Sequence, residues 1–166
     1  MQVLSVPDAA AHFDRIVASE VPGRRGLEAW DALLRAHATL LRQLETDLES
    51  KTGLALADFD VLAQLAIAGG ALRMSDLADR ALISRSGMTR RVARLVHEGL
   101  VRRVHADADA RGVVVQLTNS GLDRLTVAAP AHLRGVSDLF LTKLDDHELA
   151  VLGSALAKVT LDCTFG

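Results

Sequence analysis

Apolar residues recur along most of this chain at three- and four-residue intervals, which predicts a largely helical protein. Leu27, Trp30, Leu33, Leu34, Leu40, Leu41, Leu44 and Leu48 mark one face of a helix over 27–50. A helix of about 24 residues is about 36 Å long at 1.5 Å per residue. A small domain cannot cover that length alone, so the pattern implies a partner chain. A shorter helix over 7–19 precedes it, opened by Pro7 and Asp8 and closed by the breaker cluster 21–26. Downstream, helices are predicted over 57–68, with Phe59, Leu62, Leu65 and Ile67 inward, and over 75–81, with Leu77 and Ala78 inward. Ser84 is placed to N-cap a helix over 85–98, and Gly99 stands where a C-terminal glycine belongs.

The period then changes. Two β-branched segments, 100–103 and 113–117, bracket a polar, turn-prone stretch over 106–112, the pattern of a hairpin. Thr118 is an N-cap for a helix running to about 129, and a further apolar helix is predicted over 133–143. The last helix starts at Asp145, where Glu148 completes a capping-box pair, and carries Leu149, Leu152, Leu156 and Val159.

The 166 residues fit one compact domain with long helices attached, and 49% hydrophobic content excludes a disordered chain. No apolar run reaches the roughly 18 residues of a spanning helix, and Asp8, His12, Asp14 and Arg15 interrupt any signal-peptide pattern. Both readings predict a soluble, cytoplasmic protein. A single cysteine, Cys163, excludes an internal disulfide framework, and the six histidines show no metal-ligand spacing. There is no Ser-His-Asp order, phosphate loop or nucleotide fingerprint, so no enzyme, cofactor or metal site is expected.

The net charge of −2 conceals an asymmetry. From Arg80 to Arg103 seven arginines face one acid, Glu98, giving +6 over 24 residues, while the rest of the chain carries −8. A basic segment on an acidic body is the footprint of an anion-binding face. On the 85–98 helix, Met88, Val92, Leu95 and Val96 fall on one side and are expected to pack inward. Arg85, Ser86, Thr89, Arg90 and Ala93 fall on the other. Fork donors, hydroxyls and a methyl group are the groups that read base edges in a major groove. The short helix and tight turn before it complete a helix-turn-helix. Arg102 and Arg103 lie at the hairpin base, and Arg111 near its tip is placed to enter a minor groove.

The run Met74-Ser-Asp-Leu-Ala-Asp-Arg-Ala-Leu-Ile-Ser-Arg-Ser-Gly-Met-Thr-Arg-Arg-Val-Ala-Arg-Leu-Val-His-Glu-Gly-Leu-Val-Arg-Arg103 resembles the winged helix-turn-helix of the MarR family of bacterial transcription regulators. Asp109-Ala110-Arg111 resembles that family's acid-x-Arg wing signature, and Leu117-Thr118-Asn119-Ser120-Gly121 the segment that follows it. The likeness covers about 27–159. It implies a mostly α fold with a small β-hairpin wing, flanked by long N- and C-terminal dimerisation helices. By residue, that is an N-terminal helix and linker (1–26), dimerisation helices (27–51 and 119–166) and a winged DNA-binding domain (52–118). Two departures stand out: Ala110 occupies a wing position where a second basic or polar residue is common, and the 7–19 helix is an addition that not all members have.

The resemblance implies a homodimeric regulator of double-stranded DNA, a repressor, reading a palindromic operator with Ser84, Arg85, Ser86, Thr89, Arg90, Arg94, Arg103 and Arg111. It also implies a small, anionic aromatic effector, for which Trp30, His37, Asp60 and Arg91 are the candidate residues. A urate-responsive branch of the family has an extra N-terminal helix and an acid and two arginines near positions 60, 91 and 103. That branch has a Trp in its extra helix, and this extra helix has none. Two rival readings remain open: a helical protein-interaction module without specific DNA binding, and a redox- or metal-responsive regulator of the same fold.

Overall fold

The computed structural model describes residues 6–21, 23–105 and 113–161, and divides into two units, Met1–Arg42 and Gln43–Gly166. The first unit holds helix α1 (Val6–Glu20) and the larger part of α2 (Arg24–Thr52). The expected 7–19 and 27–50 helices are both present, each extended by a few residues.

In the second unit the end of α2 contributes Leu44 and Leu48 to a core completed by α3 (Leu56–Ile67), α4 (Met74–Arg80), α5 (Arg85–His97) and α6 (Asn119–Leu139). Leu62, Leu65, Leu77, Met88, Val92 and Leu95 are fully buried there. α3 has no side-chain N-cap of its own. Glu45 of α2 replaces it, accepting from the Leu56 N–H at 3.1 Å. Ile67, expected inward, is 76% exposed. It lies in the last turn of α3, where the buried stripe through Val61, Leu62 and Leu65 has already rotated away.

Strands β2 (Val101–His105) and β3 (Val113–Leu117) pair antiparallel as the predicted hairpin, with Arg103 opposite Val115. A third strand, β1 (Ala71–Arg73), lies on the other side of β3, so the sheet order is β1-β3-β2. Three residues are too few to show a period of two, which is why the sequence pattern does not reveal β1. Position 111 lies outside the described residues, as does Cys163.

The two helices expected over 118–129 and 133–143 are one. α6 runs unbroken through Pro130 to Leu139 and is followed by a single 3-10 turn, Leu141–Lys143. Proline removes one helical hydrogen bond. Buried Leu125, Ala128, Ala131 and Gly135 lie on both sides of it, so tertiary packing holds the helix together across the break. Thr118 caps α6 as expected, accepting from Gly121 N–H at 3.0 Å, and its hydroxyl donates to the carbonyls of Gly99 and Leu100. Gly121 has room for no side chain, because a Cβ there would sit 2.1 Å from the Leu100 carbonyl oxygen. Helix α7 (Asp146–Thr160) opens with the predicted capping box, Asp145 accepting from Glu148 N–H and Glu148 from Asp145 N–H. It buries none of its residues. No helix among the described residues is long and apolar enough to cross a membrane.

Candidate nucleic-acid interface

The turn between α4 and α5 sets the geometry of the basic segment. α4 closes with the Ile83 N–H bonded to Ala78 O and the Leu82 N–H to Asp79 O, the paired bonds of a Schellman turn. Ile83 thereby packs against the core. Ser84 then N-caps α5, accepting from Gly87 N–H at 3.2 Å, as its sequence position predicts. The first turn of α5 holds no acid. Its unpaired N–H groups and the helix dipole therefore present positive potential where an anion would approach.

The two faces of α5 separate as expected, with one exception. Met88, Val92 and Leu95 are buried, and Arg85, Ser86, Thr89, Arg90 and Ala93 are exposed. Val96, expected inward, is 38% exposed, since it is turned about 100° around the helix from the fully buried Leu95. The Thr89 hydroxyl donates to Arg85 O at 2.9 Å, which leaves its oxygen lone pairs outward.

Four of the segment's arginines are already engaged. Arg91 Nη1 donates to Asp58 Oδ1 at 2.8 Å, and Arg94 Nη2 donates to both oxygens of the same carboxylate. Asp58 is on α3 and only 4% exposed. Arg94 also lies 3.8 Å from Glu98. Arg103 reaches back from β2 to donate to Thr89 O at 3.2 Å, tying the wing strand to α5. Ile83, Gly87, Arg90, Arg91 and Arg94 line an open hollow of about 280 Å³ beside α5. Arg102 donates to Gln116 across the β2–β3 pair at 2.9 Å.

The effector candidates divide between the units. Trp30 and His37 are exposed on the N-terminal part of α2. Asp60 and Arg91 belong to the second unit, where burial pushes the Asp60 carboxyl above its usual range against the attraction of His132 and Arg91, and Glu45 pushes it further up. His132 of α6 lies against Phe59, ring centroids 4.4 Å apart. Burial lowers its pKa, and Asp60 opposes that shift. Among the described residues no three His, Cys, Asp or Glu side chains gather as a metal site would require.

Asp58 and His132 are the residues the sequence reading passed over. The shortage of acids around α5 signals that a partner lies elsewhere, but the sequence does not separate Asp58 from Asp60, Asp76 or Asp79. For His132 the sequence carries no signal, because its surroundings come from α3 and are not its neighbours in the chain.

The comparisons agree with this geometry. Residues 52–112 match the family model described as MarR family. The transcriptional regulator PecS of Dickeya dadantii is 30% identical over 112 residues, 66% of this chain and 67% of that protein. The chain belongs to the MarR family. Two solved MarR-family regulators of Streptomyces coelicolor share its fold. AbsC superposes with a TM-score of 0.76 at 28% identity, over 96% of both chains. Sco3205, solved in complex with DNA, superposes with a TM-score of 0.79 at 29% identity, over 83% of this chain and 90% of that one. As a MarR-family chain it is a winged-helix transcriptional regulator, and the helix-turn-helix of the family is the α4–α5 pair, with β2 and β3 as the wing.

Proposed function

We propose that this chain is a homodimeric repressor that binds a palindromic duplex operator and is released by a small anionic aromatic ligand. The observation that carries the reading is the division of α5. Its inner face is locked on the core by Met88, Val92 and Leu95, and its outer face presents Arg85, Ser86, Thr89 and Arg90 beyond an acid-free, Ser84-capped first turn. That surface fits a major groove in chemistry and in curvature. Arg111 on the wing supplies a minor-groove contact in this reading, while Arg94 and Arg103 hold the reading helix in place, one against Asp58 and the other against Thr89 O. The DNA-bound state of Sco3205 supports the assignment.

Dimerisation is supported by apolar surface that one chain leaves open. Trp30, Leu34 and Leu41 of α2, Leu122, Val127 and Leu133 of α6, and Val151 and Val159 of α7 are all exposed. A 15-residue helix with no fully buried residue, as α7 is, gains from a partner that covers its open face. The effector reading rests on Trp30, His37, Asp60 and Arg91.

The test is binding to the DNA upstream of the chain's own coding region. Arg90→Ala and Arg111→Ala should each weaken binding. Affinity unchanged in both variants would remove the assigned DNA face. Screening aromatic carboxylates and purines by thermal shift, then by release of that DNA, tests the effector, since a ligand that binds only the folded state raises the melting temperature.

A further inference from the structure

Three helices of this chain close with the same pair of hydrogen bonds. In α3 the Gly70 N–H bonds Leu65 O and the Gly69 N–H bonds Ala66 O. In α5 the Leu100 N–H bonds Leu95 O and the Gly99 N–H bonds Val96 O. In α4 Ile83 and Leu82 do the same with Ala78 and Asp79. The motif places one residue in the left-handed conformation, where a side chain collides with its own backbone. α3 and α5 put glycine there, Gly69 at φ 82° and Gly99 at φ 74°. α4 puts Leu82 there at φ 53°, the one non-glycine residue with positive φ among those described.

Burial of the side chain does not offset that strain. Ile83, the next residue, takes the core contact that the motif offers, and Leu82 is left 66% exposed. Backbone strain and open apolar surface thus coincide in one side chain, two positions before the cap of α5. Such coincidences persist where they serve a site. The exposed side chains that follow Leu82 on this face are Ser84, Arg85, Ser86, Thr89, Arg90 and Ala93, polar or cationic apart from the methyl groups of Thr89 and Ala93. They match phosphates and the polar base edges. Leu82 adds a larger apolar side chain beside them, suited to the one apolar group a major groove displays, the thymine C5-methyl.

We propose that Leu82 is a specificity residue of the DNA interface, packing its side chain on a thymine methyl group at the edge of the groove that α5 enters. The proposal rests on the DNA-binding reading above. It explains why a turn that glycine would relax carries leucine instead.

The experiment compares the full-length chain with Leu82→Gly and Leu82→Asn, asparagine being a residue that tolerates the left-handed conformation. Each is melted, sized in solution, and titrated with its upstream DNA made once with thymidine and once with deoxyuridine throughout. Leu82→Gly should melt about 2–4 °C higher, as relief of strain in a chain of this length predicts. It should nonetheless bind thymidine DNA about 5-fold more weakly, the worth of roughly one buried methyl group. The loss that the wild type suffers on deoxyuridine DNA should shrink in both variants. Unchanged affinity, an equal deoxyuridine penalty in all three proteins, or a changed oligomeric state would overturn the proposal. A wild-type chain that binds no duplex would instead fail the DNA-binding reading, and this inference with it.

Discussion

Arg94 turns its guanidinium inward onto Asp58, donating to both carboxylate oxygens, although it sits on the helix that presents the exposed arginines. Arg91 joins it at 2.8 Å from the same carboxylate. One buried acid of α3 therefore fixes two positions of α5, one helical turn apart, and with them the pitch of the reading face. Removing one partner of a buried pair leaves the remaining charge desolvated and uncompensated. Arg91 has no slack to absorb that loss, since its Nε is buried and has no hydrogen-bond partner among the described residues. Asp58→Asn should cost about 3 kcal/mol, the low end for such pairs because Arg94 is half exposed. The melting temperature should fall by roughly 6–12 °C. A change of less than about 1 °C would show that packing alone holds α5 on α3.

The same contact separates Arg94 from Arg90 in any titration against salt. Each phosphate contact adds about 0.9 to the slope of log affinity against log salt. Arg90 is exposed beside the first turns of α5, while Arg94 is committed to Asp58 and Glu98. Arg90→Ala should therefore lower the slope by about one. Arg94→Ala should leave the slope unchanged and lower the melting temperature instead. Equal loss of slope in both variants would return Arg94 to the DNA face.

A pH dependence follows from His132. Burial against Phe59 lowers its pKa from 6.5, and its Nδ1 has no hydrogen-bond partner among the described residues. The unfolded chain then takes up a proton more readily than the folded one, so stability is full above about pH 6.5 and declines as pH falls below it. Asp60 acts with the opposite sign and in another window. Its raised pKa means that ionisation costs the folded state, so its contribution falls as pH rises above 3.8. Between pH 7.5 and 5.5 the His132 contribution should dominate. The melting temperature should drop across that interval, and His132→Phe should reduce the drop. An identical drop in the variant would place the titration elsewhere.

Most of the second unit is legible in the spacing of apolar residues because α3, α4, α5 and the last turns of α2 each bury one face on the core. The caps Ser84, Thr118 and Asp145 are legible for a different reason: a capping oxygen bonds an N–H three residues ahead, so the information is local. What the sequence hides is non-local. Pro130 looks like a boundary until α3 is packed against α6, and β1 is visible only once Val115 is there to pair with Leu72. The site shows the same division. The exposed arginines of α5 follow from the helical wheel. The inward turn of Arg94 depends on Asp58, 36 residues earlier, and no pattern along the chain connects the two.

The apolar surface left open on α7 gives a last prediction. Val151 and Val159 stand eight residues apart on its exposed side, at 52% and 60% exposure, while Leu149, Leu152 and Leu156 turn partly inward. In one chain a charge placed on either exposed side chain would meet water. In a homodimer built through this helix, the same charge would be buried without a partner, at a cost of several kcal/mol per ion. Val151→Asp combined with Val159→Asp should convert a particle of two chains to one of 17.7 kDa by light scattering, with the far-ultraviolet helix signal largely retained. DNA affinity should fall with the mass, because a palindromic operator is bound by two half-sites joined through the dimer. A double variant that keeps the mass of two chains would show that α7 lies outside the interface, and would leave the exposed leucines of α2 and α6 as the surfaces that join the protomers.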